Sequence, residues 1–344
     1  MSKSVIAIVA FCGVVTLCCI IAMAVIASDN MSGEKMTASA PVIVEVVPED
    51  DSYVKKSPYG NNPCEGMKVY LANGACEELN VPQAGSNITE GYVGDLEVDY
   101  EPLTDEYFKN SMCPVNVHWH LGTEHLSVGE FDEMGKGPYN EYGHRALAKG
   151  ETVRGGHRCH YYDPEDPKFT TEYEWKHCVN MVVGETYEIH WPHSAAGACG
   201  TPNQYQTPFY DGVFCNQQLI LDNLSVLPTV VGVQGQVFTI VNDEDYYYPD
   251  LMRGMIIDGD MGMSLTKYTG STTGTSRDAD TICSSYSPIT WQVDRKCHMI
   301  SASSFDKMCA DMKAQRDDMS DDLYPHGSRE VVVSDYVANN QNGN

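Results

Sequence analysis

Basic residues are scarce in this chain: 22 Lys and Arg stand against 48 Asp and Glu, giving a formal net charge of −26 over 344 residues. Nucleic acid is therefore not an expected partner, because binding its phosphates requires a positive footprint. The imbalance describes a solvated acidic surface kept soluble by self-repulsion. No Cys-x2-Cys pair occurs, which argues against a cysteine zinc ribbon. Also missing is His-Glu-x-x-His, the helical metalloprotease motif, which weakens a peptidase reading. Past residue 63 there is no second linker, internal repeat or low-complexity tract. Those absences leave one expected domain over 63–338 and an expected disordered tail over 339–344.

The first thirty residues are of another kind. From Val5 to Ala27 no charge interrupts a run of Val, Ile, Ala, Cys and Met. About twenty apolar residues cross a bilayer as a helix, whereas a signal peptide needs an apolar core of roughly 7–15. An uncleaved signal-anchor over 1–28 is the favoured expectation, with a removed signal peptide as the alternative because Val25-Ile26-Ala27 precedes Ser28. Either way the rest of the chain is expected to be exported, membrane-anchored or secreted. Residues 29–62 read as a polar linker with Pro41, Pro48, Pro58 and the acidic Glu49-Asp50-Asp51. Ten of the thirteen cysteines lie beyond the apolar run, an even number expected to form disulfides whose pairing the sequence does not reveal. Sequons at Asn30, Asn87 and Asn223 permit glycosylation.

Strand signals dominate the domain. Alternating or β-branched runs cover Val115–Leu121, Thr186–Trp191, Thr229–Val241, Ile289–Val293 and Glu330–Val333, separated by Gly, Pro, Asn and Asp. The best helix signal is Ser303–Met319, with Ser304 as N-cap. We expect a mainly β domain with one large mixed or antiparallel sheet and a few peripheral helices.

Chemistry concentrates in the histidines. In Val115–Leu121, alternation puts Val115, Val117, Trp119 and Leu121 on one face and Asn116, His118 and His120 on the other. Two imidazoles at i and i+2 project side by side. In Thr186–Trp191 the same pattern sets Glu188 beside His190. Were these strands neighbours, His118, His120 and His190 would hold one metal and leave a fourth position open, as catalytic zinc requires. His125 as a local third ligand, or a separate site at His157 and His160, remain open on residue chemistry alone.

The block Cys113-Pro-Val-Asn-Val-His-Trp-His-Leu-Gly-Thr-Glu-His125 resembles the signature of the delta-class carbonic anhydrases of marine algae, themselves similar to the alpha class. Gly122-Thr123-Glu124-His125, Glu188-Ile189-His190, Tyr268 to Thr273, Thr290-Trp291 and Arg329 to Ser334 resemble alpha-class segments in the same order, with gaps of different length. The resemblance implies the alpha-class architecture and reversible hydration of carbon dioxide to bicarbonate and a proton. It also implies a zinc-bound hydroxide held by His118, His120 and His190, although imidazoles also accept Co2+. By the same resemblance Thr273 and Glu124 are catalytic, orienting the hydroxide. Counting back from Trp291 without gaps selects Thr281 instead, and Thr273 is preferred for the Tyr-x-Gly-Ser before it. Asn116 and Glu188 would support the ligand histidines, His125 would be structural, and Trp291 and Val233 would wall the carbon dioxide. An acatalytic surface glycoprotein and an exported metal-dependent esterase are the alternative functions.

Overall fold

The computed structural model describes residues 85–97, 101–138, 144–146, 152–201, 204–205, 217–222, 224–271, 288–315 and 323–338. The apolar run, the linker, Asn30, Cys64, Cys76, Cys215, Asn223, Thr273, Thr281 and Cys283 lie outside them. The chain divides at Pro41 into two units, and every described residue belongs to the second. Among these residues no helix is long and apolar enough to cross a membrane.

The described residues form ten strands: β1 (Cys113–Pro114), β2 (His118–Leu121), β3 (Phe131–Asp132), β4 (His144–Ala146), β5 (Thr152–Arg154), β6 (Arg158–Cys159), β7 (Thr186–Ser194), β8 (Val231–Val241), β9 (Leu265–Ser271) and β10 (Pro288–Ser301). Six form the central sheet in the order β1-β7-β8-β10-β9, with β2 also paired to β7. The β8–β10 pairing is parallel and the others are antiparallel, so the sheet is mixed. Short pairs β3–β6 and β4–β5 stand apart from it. Among the described residues the α-helices are α1 (Pro167–Thr170), α2 (Gln217–Asp222) and α3 (Ala302–Gln315). The domain is mainly β, as expected.

Every residue of β7 is buried. Tyr187, Ile189 and Trp191 pack with Val117, Trp119 and Leu121 in one apolar cluster that also takes Phe305, Met308 and Met312 of α3. The opposite face carries Val233, Tyr268, Trp291 and Val293 in a second cluster. Val115 corrects the expected alternation, since it packs in that second cluster. Pro114 lies opposite His193, but His118 lies opposite His190. Four steps along one strand thus face three along the other, and one extra residue reverses the facing of everything before it.

Two further expectations are corrected. Glu330–Val333 is not a strand; Val332 N–H reaches only Gly85 O, at 3.2 Å. The helix begins at Ala302, and Ser304 is buried inside its first turn. The capping oxygen is Ser301 Oγ, which accepts the Ser304 N–H at 3.2 Å.

Disulfides join Cys113 to Cys199, Cys159 to Cys297 and Cys178 to Cys309. They indicate an oxidising, secretory-type environment.

Candidate metal centre

Pairing of β2 with β7 sets His118 opposite His190 and His120 opposite Glu188. Cross-strand partners share a face, so the two strands deliver three imidazoles to one place. A ring nitrogen from each of His118, His120 and His190 lies within 4.8 Å of the others. Ring centroids are 5.4 Å apart for His118 and His120, 5.2 Å for His118 and His190, and 4.7 Å for His120 and His190. All three are buried. His125 does not join His118 and His120; it groups instead with Glu188 and His190. Among the described residues, His157 and His160 complete no such group.

Each ring is aimed from outside. Asn116 Oδ1 lies 3.2 Å from His118 Nδ1, and the Gly327 carbonyl lies 2.9 Å from His120 Nδ1. With the proton on Nδ1, each Nε2 is left as a ligand atom. His190 Nε2 sits 3.3 Å from Glu188 Oε1, close but poorly aligned. Among the described residues, His120 Nε2 and both nitrogens of His190 are buried without a hydrogen bond. Orphaned buried acceptors cost about 1–3 kcal/mol each, and here they converge. That donor set fits a tetrahedral divalent cation with one position left over.

Glu188 is a hub rather than a partner for His190 alone. Its Oε1 accepts a short hydrogen bond from His125 Nδ1, and its Oε2 accepts the Glu124 N–H at 2.8 Å. His125 Nε2 in turn accepts from Tyr268 Oη at 2.7 Å. Burial pushes the Glu188 carboxyl up, but His125 and His190 outweigh it and hold it well below the usual range. Burial likewise raises Glu124, while His120, Arg329 and His190 bring it down to about 2. Its two oxygens have no hydrogen bond among the described residues; Arg329 Nε is 3.6 Å and His190 Nδ1 3.9 Å away. Burial lowers His120, which favours the neutral form that binds metal. His190 is raised: Glu188 and Glu124 prevail over burial, so proton and metal compete there.

Gly122 lets Glu124 and His125 return to the site. Its φ is +66°, and a Cβ there would fall 1.8 Å from Gly155 O. Trp291 closes the far side, edge-on to His190 at 5.1 Å and to His125 at 5.4 Å. Val233, opposite Trp291 in the sheet, is buried in the same cluster.

A family model described as Delta carbonic anhydrase matches residues 109–304. The chain belongs to the delta carbonic anhydrase family. No curated protein matches it. The match contains His118, His120, Glu124, Glu188 and His190 but stops short of residues 324–329. That stretch supplies contacts the sequence reading did not anticipate in this delta carbonic anhydrase. They are the Gly327 carbonyl on His120, the Ser328 hydroxyl donating to Leu121 O at 2.8 Å, and Arg329 beside Glu124. A carbonyl leaves no trace in residue type, so Gly327 carried no signal. Arg329 did carry one, being a cation next to an apolar run. Tyr268 stood in a recognised segment, but its hydroxyl's target is 143 positions away.

Proposed function

We propose that this chain catalyses the reversible hydration of carbon dioxide to bicarbonate and a proton, using zinc held by His118, His120 and His190. The observation that carries the reading is the convergence of three buried imidazoles, with His120 Nε2 and both nitrogens of His190 unbonded among the described residues. When bound, zinc supplies a Lewis acid that lets a coordinated water ionise near neutral pH, the behaviour for which carbonic anhydrases are the standard example.

His118 and His120 present Nε2 because Asn116 and the Gly327 carbonyl hold their Nδ1 protons. His190 presents Nδ1, since its Nε2 faces Glu188. Glu124 is held ionised as an acceptor for the Thr273 hydroxyl, which would then accept a hydrogen bond from the attacking oxygen and fix its direction. Trp291 offers carbon dioxide an apolar wall. The apolar run at 5–27 anchors the domain on the lumenal or extracellular side, or is removed as it is secreted.

Zinc analysis and a carbon dioxide hydration assay on the wild type, His190→Ala and His125→Ala test this. We expect one zinc and activity in the wild type, loss of both in His190→Ala, and retained zinc in His125→Ala. Stoichiometric zinc in His190→Ala would reject the triad. Zinc without hydration in the wild type would favour the acatalytic reading, and esterase activity alone would favour the hydrolase.

A further inference from the structure

A fourth histidine stands on the metal face. His326 N–H donates to Trp119 O at 2.9 Å and His326 O accepts the Leu121 N–H at 2.6 Å, a parallel bridge opposite His120. Bridge partners share a face, so the His326 ring lies beside the rings of β2. Its centroid is 5.9 Å from His118 at 48° and 6.1 Å from His120 at 66°. Those spacings are little wider than the ones among the three ligand rings themselves. Tyr324 backs it edge-on at 5.1 Å, and His326 is 2% exposed. Among the described residues it belongs to no group of ligand atoms within 4.8 Å.

We propose that His326 is a positioning residue that holds both ligands of β2 in their metal-binding rotamers. The reason is mechanical. Each β2 ligand donates a hydrogen bond from Nδ1, to Asn116 Oδ1 or to the Gly327 carbonyl, that helps set its direction. One hydrogen bond fixes a point on the ring but leaves rotation about it. A third flat side chain touching both rings blocks that rotation, so the two Nε2 atoms stay aimed at one point before metal arrives. The third ligand, His190, is held differently, edge-on to Trp291. The three ligands are thus braced from two sides, by His326 for β2 and by Trp291 for β7. Bracing of this kind reduces the ordering that metal binding must otherwise impose, and partners of this kind typically govern roughly 10–100-fold in metal affinity.

The proposal rests on the zinc reading above, and the experiment separates the two. Zinc affinity is measured by competition with a chromophoric chelator on the full chain, for the wild type, His326→Leu and His326→Phe. The visible absorption of each Co2+-loaded form is recorded as well. His326→Leu fills the volume but has no flat edge; His326→Phe keeps the ring and removes its nitrogens. We expect His326→Leu to weaken zinc binding about 10-fold or more and to shift the Co2+ bands, with His326→Phe restoring both. Wild-type affinity and spectrum in His326→Leu would overturn the proposal. So would a His326→Phe variant that binds zinc normally but loses turnover alone and regains it with free imidazole, because that pattern marks a proton relay. Failure of the wild type to take up zinc would sink the metal-centre reading and this proposal with it.

Discussion

His193 offers a test in which one buried ring determines how stability responds to acid. It lies on β7 three residues beyond His190, is 7% exposed, and packs edge-on against Tyr107 at 5.1 Å. Its Nδ1 donates to Trp191 O at 2.7 Å. Burial pushes its pKa from the ordinary 6.5 down to about 4, and the Trp191 carbonyl recovers only part of that. The folded-state pKa is depressed, so the unfolded chain takes up a proton near 6.5 while the folded chain stays neutral until about 4. The stability contribution is complete above 6.5 and is lost as the pH falls through that window. At about 1.4 kcal/mol per pH unit, the loss amounts to about 3 kcal/mol. That is a large share of a typical net stability of about 5–15 kcal/mol. His193→Phe keeps a flat ring against Tyr107 and removes the titration. Urea unfolding of both proteins from pH 7.5 to 4 should show the wild type losing about 3 kcal/mol more than the variant. The difference cancels every other group that titrates in both. Parallel curves across the window would refute the reasoning.

Opening the Cys113–Cys199 bridge, which spans 86 residues, should cost about 4–5 kcal/mol by the chain-entropy relation. Unfolding of Cys113→Ser/Cys199→Ser measures it. Because Cys199 is exposed while Cys159, Cys297, Cys178 and Cys309 are buried, mild reductant followed by thiol mapping should label this pair first. Ser301→Ala removes the cap of α3 and should lower stability by about 1 kcal/mol, read from the denaturation midpoint. Thr273→Ala should slow hydration with zinc retained. An unchanged rate there, with Thr281→Ala impaired, would transfer the orienting role to Thr281.

What could be read in advance was what period 2 encodes. Trp119, Leu121, Ile189 and Trp191 announced an apolar face, and the residues between them had to face away, which is where His118, His120 and His190 lie. The single-residue bulge between Pro114 and His118 was illegible, since nothing in Val115-Asn116-Val117 distinguishes a continuous strand from a slipped one. Glu330–Val333 has a strand's composition but no neighbouring ladder among the described residues, and propensity without a partner does not make a strand. The helix start was misplaced because Ser301, Ser303 and Ser304 are chemically alike; Ser301 caps because β10 delivers it in extended conformation. Asp306 shows the same limit at long range. Its carboxylate accepts the N–H groups of Lys176, His177 and Cys178, an arrangement set by tertiary position and not by local pattern.

His120 and His190 are neighbours across a pair of strands yet about seventy positions apart in the chain. No fragment made during synthesis contains the complete set of three imidazoles until β7 has emerged and closed that span against β2. Under the proposed function, acquisition of metal would therefore mark the completion of this half of the sheet, and a chain stalled earlier would have at most two of the three imidazoles in place.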